Sequence, residues 1–200
     1  MYNQNEYNNL ISQYGAYASW AIWDHKDQKD PSIISQNIDH LHSRFILLGL
    51  SISRPLKEAP WSNFHHGPSN VRKLKYACND TILRGSYITD IFKGIVEPAS
   101  SKFSSAVTEK IIRENVNFFS QEMQDIRIND ESQFIVFGAQ NSLLARYFNK
   151  YFRHDRRNRI IYHYHYSYYG LSDEVWVESL WAKLGMDEDF DLVIRKYKKA

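Results

Sequence analysis

The sequence predicts an α/β fold: three layers, α/β/α, around a central, mainly parallel four-stranded sheet. Three observations carry this. Four short β-rich segments, at 45–50, 85–94, 134–139 and 159–165, alternate with stretches whose apolar residues recur at helical spacing. Such alternation builds parallel sheets through right-handed helical crossovers. The first segment, from Phe45 to Leu50, is apolar on both faces, which suits a strand covered from both sides.

Residues 6–24 place Leu10, Ile11, Tyr14, Tyr17, Ala18 and Ala21 at helical spacing, so a first amphipathic helix is expected there, anchored by Trp20 and Trp23. Asp30-Pro31 is a helix start, with an acidic cap and proline at the first position, and predicts a second helix to about Leu41. After the first strand comes a long loop, and Ser69 is placed to cap a helix to Cys78 with Val71, Leu74 and Cys78 facing inward. Glycines bound the second strand. A Pro/Ser-rich break at 97–105 then leads to a long helix, capped by Ser104 or Ser105 and striped by Ala106, Ile111, Ile112, Val116 and Phe119. Gly138 closes the third strand and opens a helix over 140–152. After the fourth strand, Ser172 caps a last helix that buries Val175, Trp176, Leu180 and Leu184 and stops at Gly185. The expected organisation is one domain over 1–200, with N-terminal helices in 1–43 packed on a core at 44–185.

Bulk properties narrow the chemistry. Hydrophobic residues make up 43% of the 200, enough for a sizeable core. A net charge of +2 is too small to imply a polyanion partner, so any basic surface must come from clustering. The single cysteine, Cys78, excludes an internal disulfide and any all-cysteine metal site. The N-terminus lacks the pattern of a signal peptide and no apolar run is long enough to span a bilayer, so a cytoplasmic protein without membrane contact is expected.

Chemistry should gather where loops leave the carboxyl ends of the strands. Three such loops offer Ser51, Ser53, Asn63, Phe64, His65, Asp90, His165 and Ser167. The set suits a flat polar ring: Phe64 to stack on it, Asp90 to accept an N–H and His165 to donate to a carbonyl, the pairing of contacts that an extrahelical base requires. Each has a plainer reading. Asp90 would cap a turn or pair with Lys93, Phe64 would be core, and His65 and His66 would organise the loop or face phosphates. His163 shares a strand face with His165, but no third ligand is fixed near them, so no metal and no cofactor is expected. Arg146, Lys150, Arg153, His154, Arg156, Arg157 and Arg159 form the densest basic block, expected at the amino edge of the sheet, away from the site. Arg54, Lys57, Arg72, Lys73 and Arg84 are better placed for phosphates.

These segments, in this order, resemble the uracil-DNA glycosylase superfamily, especially its mismatch-specific and single-domain branches. Gly49-Leu50-Ser51-Ile52-Ser53 stands at the family's Gly-x-(Asp or Asn)-Pro-like, water-positioning motif. Phe64 and the run Gly67-Pro68-Ser69-Asn70 are similar to the base-stacking phenylalanine and the following helix start. Thr89-Asp90 falls where several members keep a residue that reads the base edge, and Gly138-Ala139-Gln140 resembles the glycine turn after the third strand. His165-Tyr166-Ser167, with Leu171-Ser172, resembles the loop whose histidine stabilises the departing base while the loop wedges into the minor groove. The resemblance spans residues 44–184. It implies a DNA partner and metal-free hydrolysis of an N-glycosidic bond, with Ser51, Asp90 and His165 catalytic. It also implies that Gly49, Leu50, Asn63 and Phe64 hold the base and that Ser53, Arg54, His65, Tyr166 and Ser167 meet the DNA. Two departures stand out: Ser51 replaces the usual acid or amide, and Tyr166 and Tyr168 replace prolines. They leave open a module that binds nucleic acid or nucleotide without turnover. An unrelated α/β hydrolase or a metal enzyme built on His163 and His165 lacks a supporting motif.

Overall fold

The computed structural model describes residues 2–27, 29–52, 59–65, 71–95, 100–153 and 158–198. Five strands form one sheet in the order β1-β3-β2-β4-β5: β1 (Ser19–Trp20), β2 (His42–Ser51), β3 (Ser86–Phe92), β4 (Gln133–Phe137) and β5 (Arg159–His163). β2 pairs in parallel with β3 and with β4, and β4 pairs in parallel with β5. These are the four expected strands. The fifth, β1, joins β3 antiparallel through Ser19 and Trp20, inside the segment expected to be helical.

Strand alternation divides the interior into two cores. Ile46, Leu48, Tyr87, Phe134 and Val136 point to one, and Phe45, Leu47, Ile88, Ile135, Phe137 and Ile161 point to the other. The first is covered by α1 (Gln4–Tyr14), through Tyr7, Leu10 and Tyr14, and by α5 (Glu109–Asp125), through Phe119 and Met123. The second is covered by α3 (Arg72–Cys78), α7 (Asp173–Leu184) and α8 (Phe190–Lys198). Val71, Leu74 and Cys78 do face inward.

Several expected elements are shorter. Helix α1 is fixed at its start by a capping box between Asn3 and Glu6 but ends at Tyr14, because the aromatic spacing beyond Gly15 serves the β1 edge instead. The predicted second helix is reduced to α2 (Ser32–Ser35) and a 3₁₀ turn, Ile38–His40. Ser104 and Ser105 lie within a separate helix, α4 (Ser100–Ala106), and Thr108 caps α5 by accepting from the Ile111 N–H. The helix after β4 is capped by Ser142, runs as α6 (Leu143–Tyr147) and continues as a π-helical turn, Phe148–Phe152. Helix α7 begins at Ser172 and stops at Gly185 as expected, the glycine taking φ +71°. Val175, expected inside, is 49% exposed. The predicted cap Ser69 lies outside the described residues. Among the described residues no helix is long and apolar enough to cross a membrane.

The chain leaves β2 to one side to form β3, then crosses back so that β4 lies on β2's other side. The carboxyl ends of β2 and β4 are thus the switch point at which open α/β sheets place ligands.

Candidate functional site

Gly49 and Asp90 are partners across the β2–β3 ladder. A Cβ at Gly49 would stand 2.1 Å from Asp90 Oδ1, so a larger residue would push the carboxylate aside, and an ordinary 4.0 Å from Phe64 Cζ, which makes the ring a neighbour of the same point. Asp90 is 5% exposed. Burial raises its pKa to about 6, against the opposing pull of the Lys93 ammonium and the Asn63 amide. A carboxyl group held there changes protonation near neutrality, as acid–base chemistry or the reading of an N–H edge requires.

Asn63 fixes this corner. Its Nδ2 donates to the Tyr17 carbonyl at 2.7 Å and to Asp90 Oδ2 at 3.3 Å, while its Oδ1 accepts from the Phe64 N–H at 3.2 Å. Phe64 follows with φ +67°, and Trp61, three residues earlier, has φ +60°. Non-glycine residues in the left-handed region carry a cost of roughly 1–3 kcal/mol, held only where the surroundings dictate it. Those surroundings are the N-terminal segment. Trp23 Nε1 donates to the Phe64 carbonyl at 3.2 Å, the Trp61 N–H donates to the Gly15 carbonyl at 2.6 Å, and Ser19 Oγ donates to the Trp61 carbonyl at 2.9 Å.

From the β5 side, Tyr166 packs against this corner. Its ring meets Phe64 edge to face at 6.4 Å, Phe137 at 5.5 Å and His165 at 4.1 Å. Phe64 is 5% exposed and belongs to the second core, so its ring serves packing as well as the corner. The Ser167 N–H donates to His165 Nδ1 at 3.2 Å, and Ser167 Oγ lies 2.6 Å from the same nitrogen. Nδ1 is therefore the acceptor and the proton sits on Nε2. Burial lowers the His165 pKa to about 4, which keeps the ring neutral and leaves Nε2–H as a donor.

Gly49, Asn63, Phe64, Asp90, His165, Tyr166 and Ser167 are thus linked by successive contacts. Other expected residues take different places. Ser51 lies further along the β2–β3 ladder, beside Phe92 and half-buried. Leu50 packs against the first core, on the sheet face opposite Gly49. His65 is not a DNA-facing residue: it is buried and stacked on Trp23 at 5.4 Å, organising the loop from within. Ser53, Arg54, Lys57 and His66, with Gly67-Pro68-Ser69-Asn70, lie outside the described residues.

The cations expected at phosphates are largely engaged internally. Lys73 Nζ donates to the Tyr168 and Leu171 carbonyls, Arg72 pairs with Asp173, and Arg84 donates to Asn79 and Asn37 before β3 begins. His163 is likewise committed, with Nε2 2.9 Å from the Trp176 carbonyl and Nδ1 3.4 Å from Lys183 Nζ. Part of the basic block lies where it was expected, Arg159 standing at the amino end of β5. Lys150, Arg153 and Arg159 line a cavity of about 780 Å³ that starts at the amino end of β5 and reaches Tyr162 and Gln140 near the carboxyl ends of β5 and β4. His154, Arg156 and Arg157 lie outside the described residues.

Trp23 and Phe137 were not singled out as site residues by sequence reasoning. Trp23 sat in a presumed helix, where an indole N–H reaching a loop forty residues away leaves no periodic signal. Phe137 ends a strand and reads as core.

A comparison with protein-family models, with curated proteins and with solved structures finds no match to this chain.

Proposed function

We propose that the chain is a divergent uracil-DNA glycosylase-like protein. It takes an extrahelical uracil-like base beyond the carboxyl ends of β2 and β4 and hydrolyses its N-glycosidic bond. The observation that carries the proposal is the corner at Gly49, where a missing side chain leaves the Asp90 carboxylate its place and the Phe64 ring lies close by. Phe64 stacks on the base. Asp90, ionised above about pH 6, accepts an N–H of its edge or orients the attacking water. The C–N bond breaks with its electron pair leaving on the base, water oxygen bonds to the sugar carbon, and the proton that water loses passes through the Asp90 carboxylate to the departing base. His165 Nε2–H donates to the base carbonyl where negative charge develops, a neutral donor aimed at the forming anion. Ser51, half-buried at the end of β2, holds the water or a phosphate. Metal ions have no part in this scheme.

The test is release of free base from uracil- or hypoxanthine-containing oligonucleotides. Release that is lost in Asp90→Asn supports the proposal; oligonucleotide binding with no release from any mismatch sinks it.

A second reading is favoured by Ser51 in place of an acid or amide, together with the Tyr166 ring packed against Phe64 and Phe137. In it the scaffold binds nucleic acid or nucleotide without turnover. It predicts saturable binding without base release, and loss of that binding in Phe64→Ala.

A further inference from the structure

The loop that follows β5 carries three exposed tyrosines that the proposed chemistry does not use. Tyr164 and Tyr168 lie with ring centroids 5.0 Å apart and planes 15° from parallel; Tyr168 and Tyr169 follow at 6.1 Å and 27°. Most ring pairs in this protein's interior meet edge to face, as Trp20–Tyr87 and Phe92–Phe103 do. The surface run is stacked, and it ends in Tyr169, 96% exposed.

The backbone of the run is pinned by hydrogen bonds. Lys73 Nζ, itself largely buried, donates to the Tyr168 carbonyl at 2.6 Å and to the Leu171 carbonyl at 2.8 Å. Trp176 Nε1 donates to the Tyr164 carbonyl at 2.9 Å, and the Tyr168 N–H donates to the His165 carbonyl at 2.8 Å. Gly170 lets the Tyr168 phenol lie over the backbone, since a Cβ there would fall 2.4 Å from its hydroxyl oxygen. Burying the ammonium costs stability, and its two hydrogen bonds to loop carbonyls offset that cost, so the lysine favours the loop shape that supplies both.

We propose that Tyr164, Tyr168 and Tyr169 form a stacking platform for unpaired bases, so that the preferred ligand is single-stranded nucleic acid. Flat, phenol-tipped rings stacked outward suit nucleobases, whose faces extend such a stack whatever their sequence. An aliphatic partner would gain nothing from the parallel geometry. The platform adjoins His165, Tyr166 and Ser167, so nucleotides flanking the one at the Asp90 corner would meet it. The inference rests on the nucleic-acid reading above, but not on turnover.

The experiment measures fluorescence anisotropy of the full chain with labelled thymidine and uridine homo-oligomers and a mixed-sequence duplex, none containing deoxyuridine. Saturable binding to single strands, weaker binding to duplex, and about tenfold or greater loss in Tyr169→Ala are expected, since one stacked base contributes that much affinity. Tyr169→Phe should retain binding, and Tyr168→Leu, apolar but not aromatic, should lose it. The DNA and RNA arms identify which sugar the platform accepts. Unchanged binding in Tyr169→Ala and Tyr168→Leu, a preference for duplex, or no binding to any single strand would overturn the inference. Failure of base release alone would leave it standing, and base release with unchanged single-strand binding in both variants would overturn the platform alone.

Discussion

Two buried carboxylates flank β3, and they are treated in opposite ways. Glu122, on α5, is 0% exposed and reaches the strand from the first core. It accepts from Lys93 Nζ at 2.6 Å, Tyr87 Oη at 2.9 Å and Thr89 Oγ1 at 2.8 Å. The Lys93 ammonium also bonds the Asp90 carbonyl and lies over the Phe118 and Phe119 rings. Asp90, facing the second core, receives among the described residues one side-chain hydrogen bond, 3.3 Å long, from Asn63. A buried charge with its partners in place is part of the framework. One that keeps a single long side-chain hydrogen bond, where Gly49 leaves it room, is the less satisfied of the two and the candidate for chemistry.

Removing the satisfied carboxylate should have the largest effect. Glu122→Leu leaves the Lys93 ammonium buried without its counter-ion, which costs about 3–5 kcal/mol. For a chain of this size the thermal midpoint should fall by roughly 10 °C. Adding Lys93→Met should restore much of the loss, because an apolar pair of similar volume needs no charge compensation. Calorimetry on the two variants checks this. A midpoint unmoved by Glu122→Leu would mean that the ion pair contributes little, and the contrast with Asp90 would collapse.

The less satisfied carboxylate should behave in the reverse sense. A carboxyl with pKa near 3.9 in the unfolded chain and about 6 in the folded protein binds more protons when folded. Stability therefore falls as pH rises through that window and is flat above it. Asp90→Asn should abolish the decline and raise stability by about 3 kcal/mol at pH 8, with no gain near pH 3. The same substitution should stop base release. In the unaltered protein, release should climb as pH rises to about 6 and then level, the ionised form being the active one. The His165 ring, with its pKa near 4, stays neutral across this range. Chemical denaturation and initial rates over one pH series test both halves. A stability gain that is equal at pH 3 and pH 8 would show that the buried charge is not its source.

Asn63 is the hinge of the comparison, because it supplies the bond that Asp90 has. Asn63→Ala removes three hydrogen bonds around the Tyr17 carbonyl, the Asp90 carboxylate and the Phe64 N–H. A loss of about 1–3 kcal/mol is expected. The amide lowers the Asp90 pKa, so its removal should move the midpoint of the pH–rate profile upward, to a value above about 6. A midpoint that stays in place would assign Asn63 to loop folding alone.

The frame of the fold was legible in the sequence because strand segments are local. The residues from Phe45 to Leu50 are apolar throughout, and Gly85 and Gly94 bracket the second strand, so the order of strands and helices followed from neighbouring residues. Phe64, Asp90 and His165 were reached by a related route. Phe64 and His165 lie in the loops after β2 and β5, and Asp90 two residues before the end of β3. The packing of Phe64 in the second core was not visible. What could not be read depends on contacts distant in sequence. The β1 edge looks helical until Ser19 and Trp20 find β3, and His65 looks solvent-facing until Trp23 stacks on it. The Lys73 bonds to the β5 loop join residues nearly a hundred positions apart, and no periodicity encodes them.

The smallest effect expected lies at Trp23, and it separates packing from positioning. Trp23→Phe keeps an aromatic ring against His65 but removes the Nε1 donor to the Phe64 carbonyl. The loss in stability should be about 1 kcal/mol, the net contribution of one buried hydrogen bond together with modest repacking. Phe64 holds φ +67° because its neighbours dictate it, and the Trp23 bond is one of them. Relaxation of that backbone would turn the ring away from Gly49 and Asp90. Ligand affinity, measured with a uracil-containing single strand, should then fall by more than the change in folding stability accounts for, and Asn63→Ala should show the same excess. Equal losses in folding and binding would mean that Phe64 is seated by the core alone, and that its left-handed backbone has no role in shaping the corner.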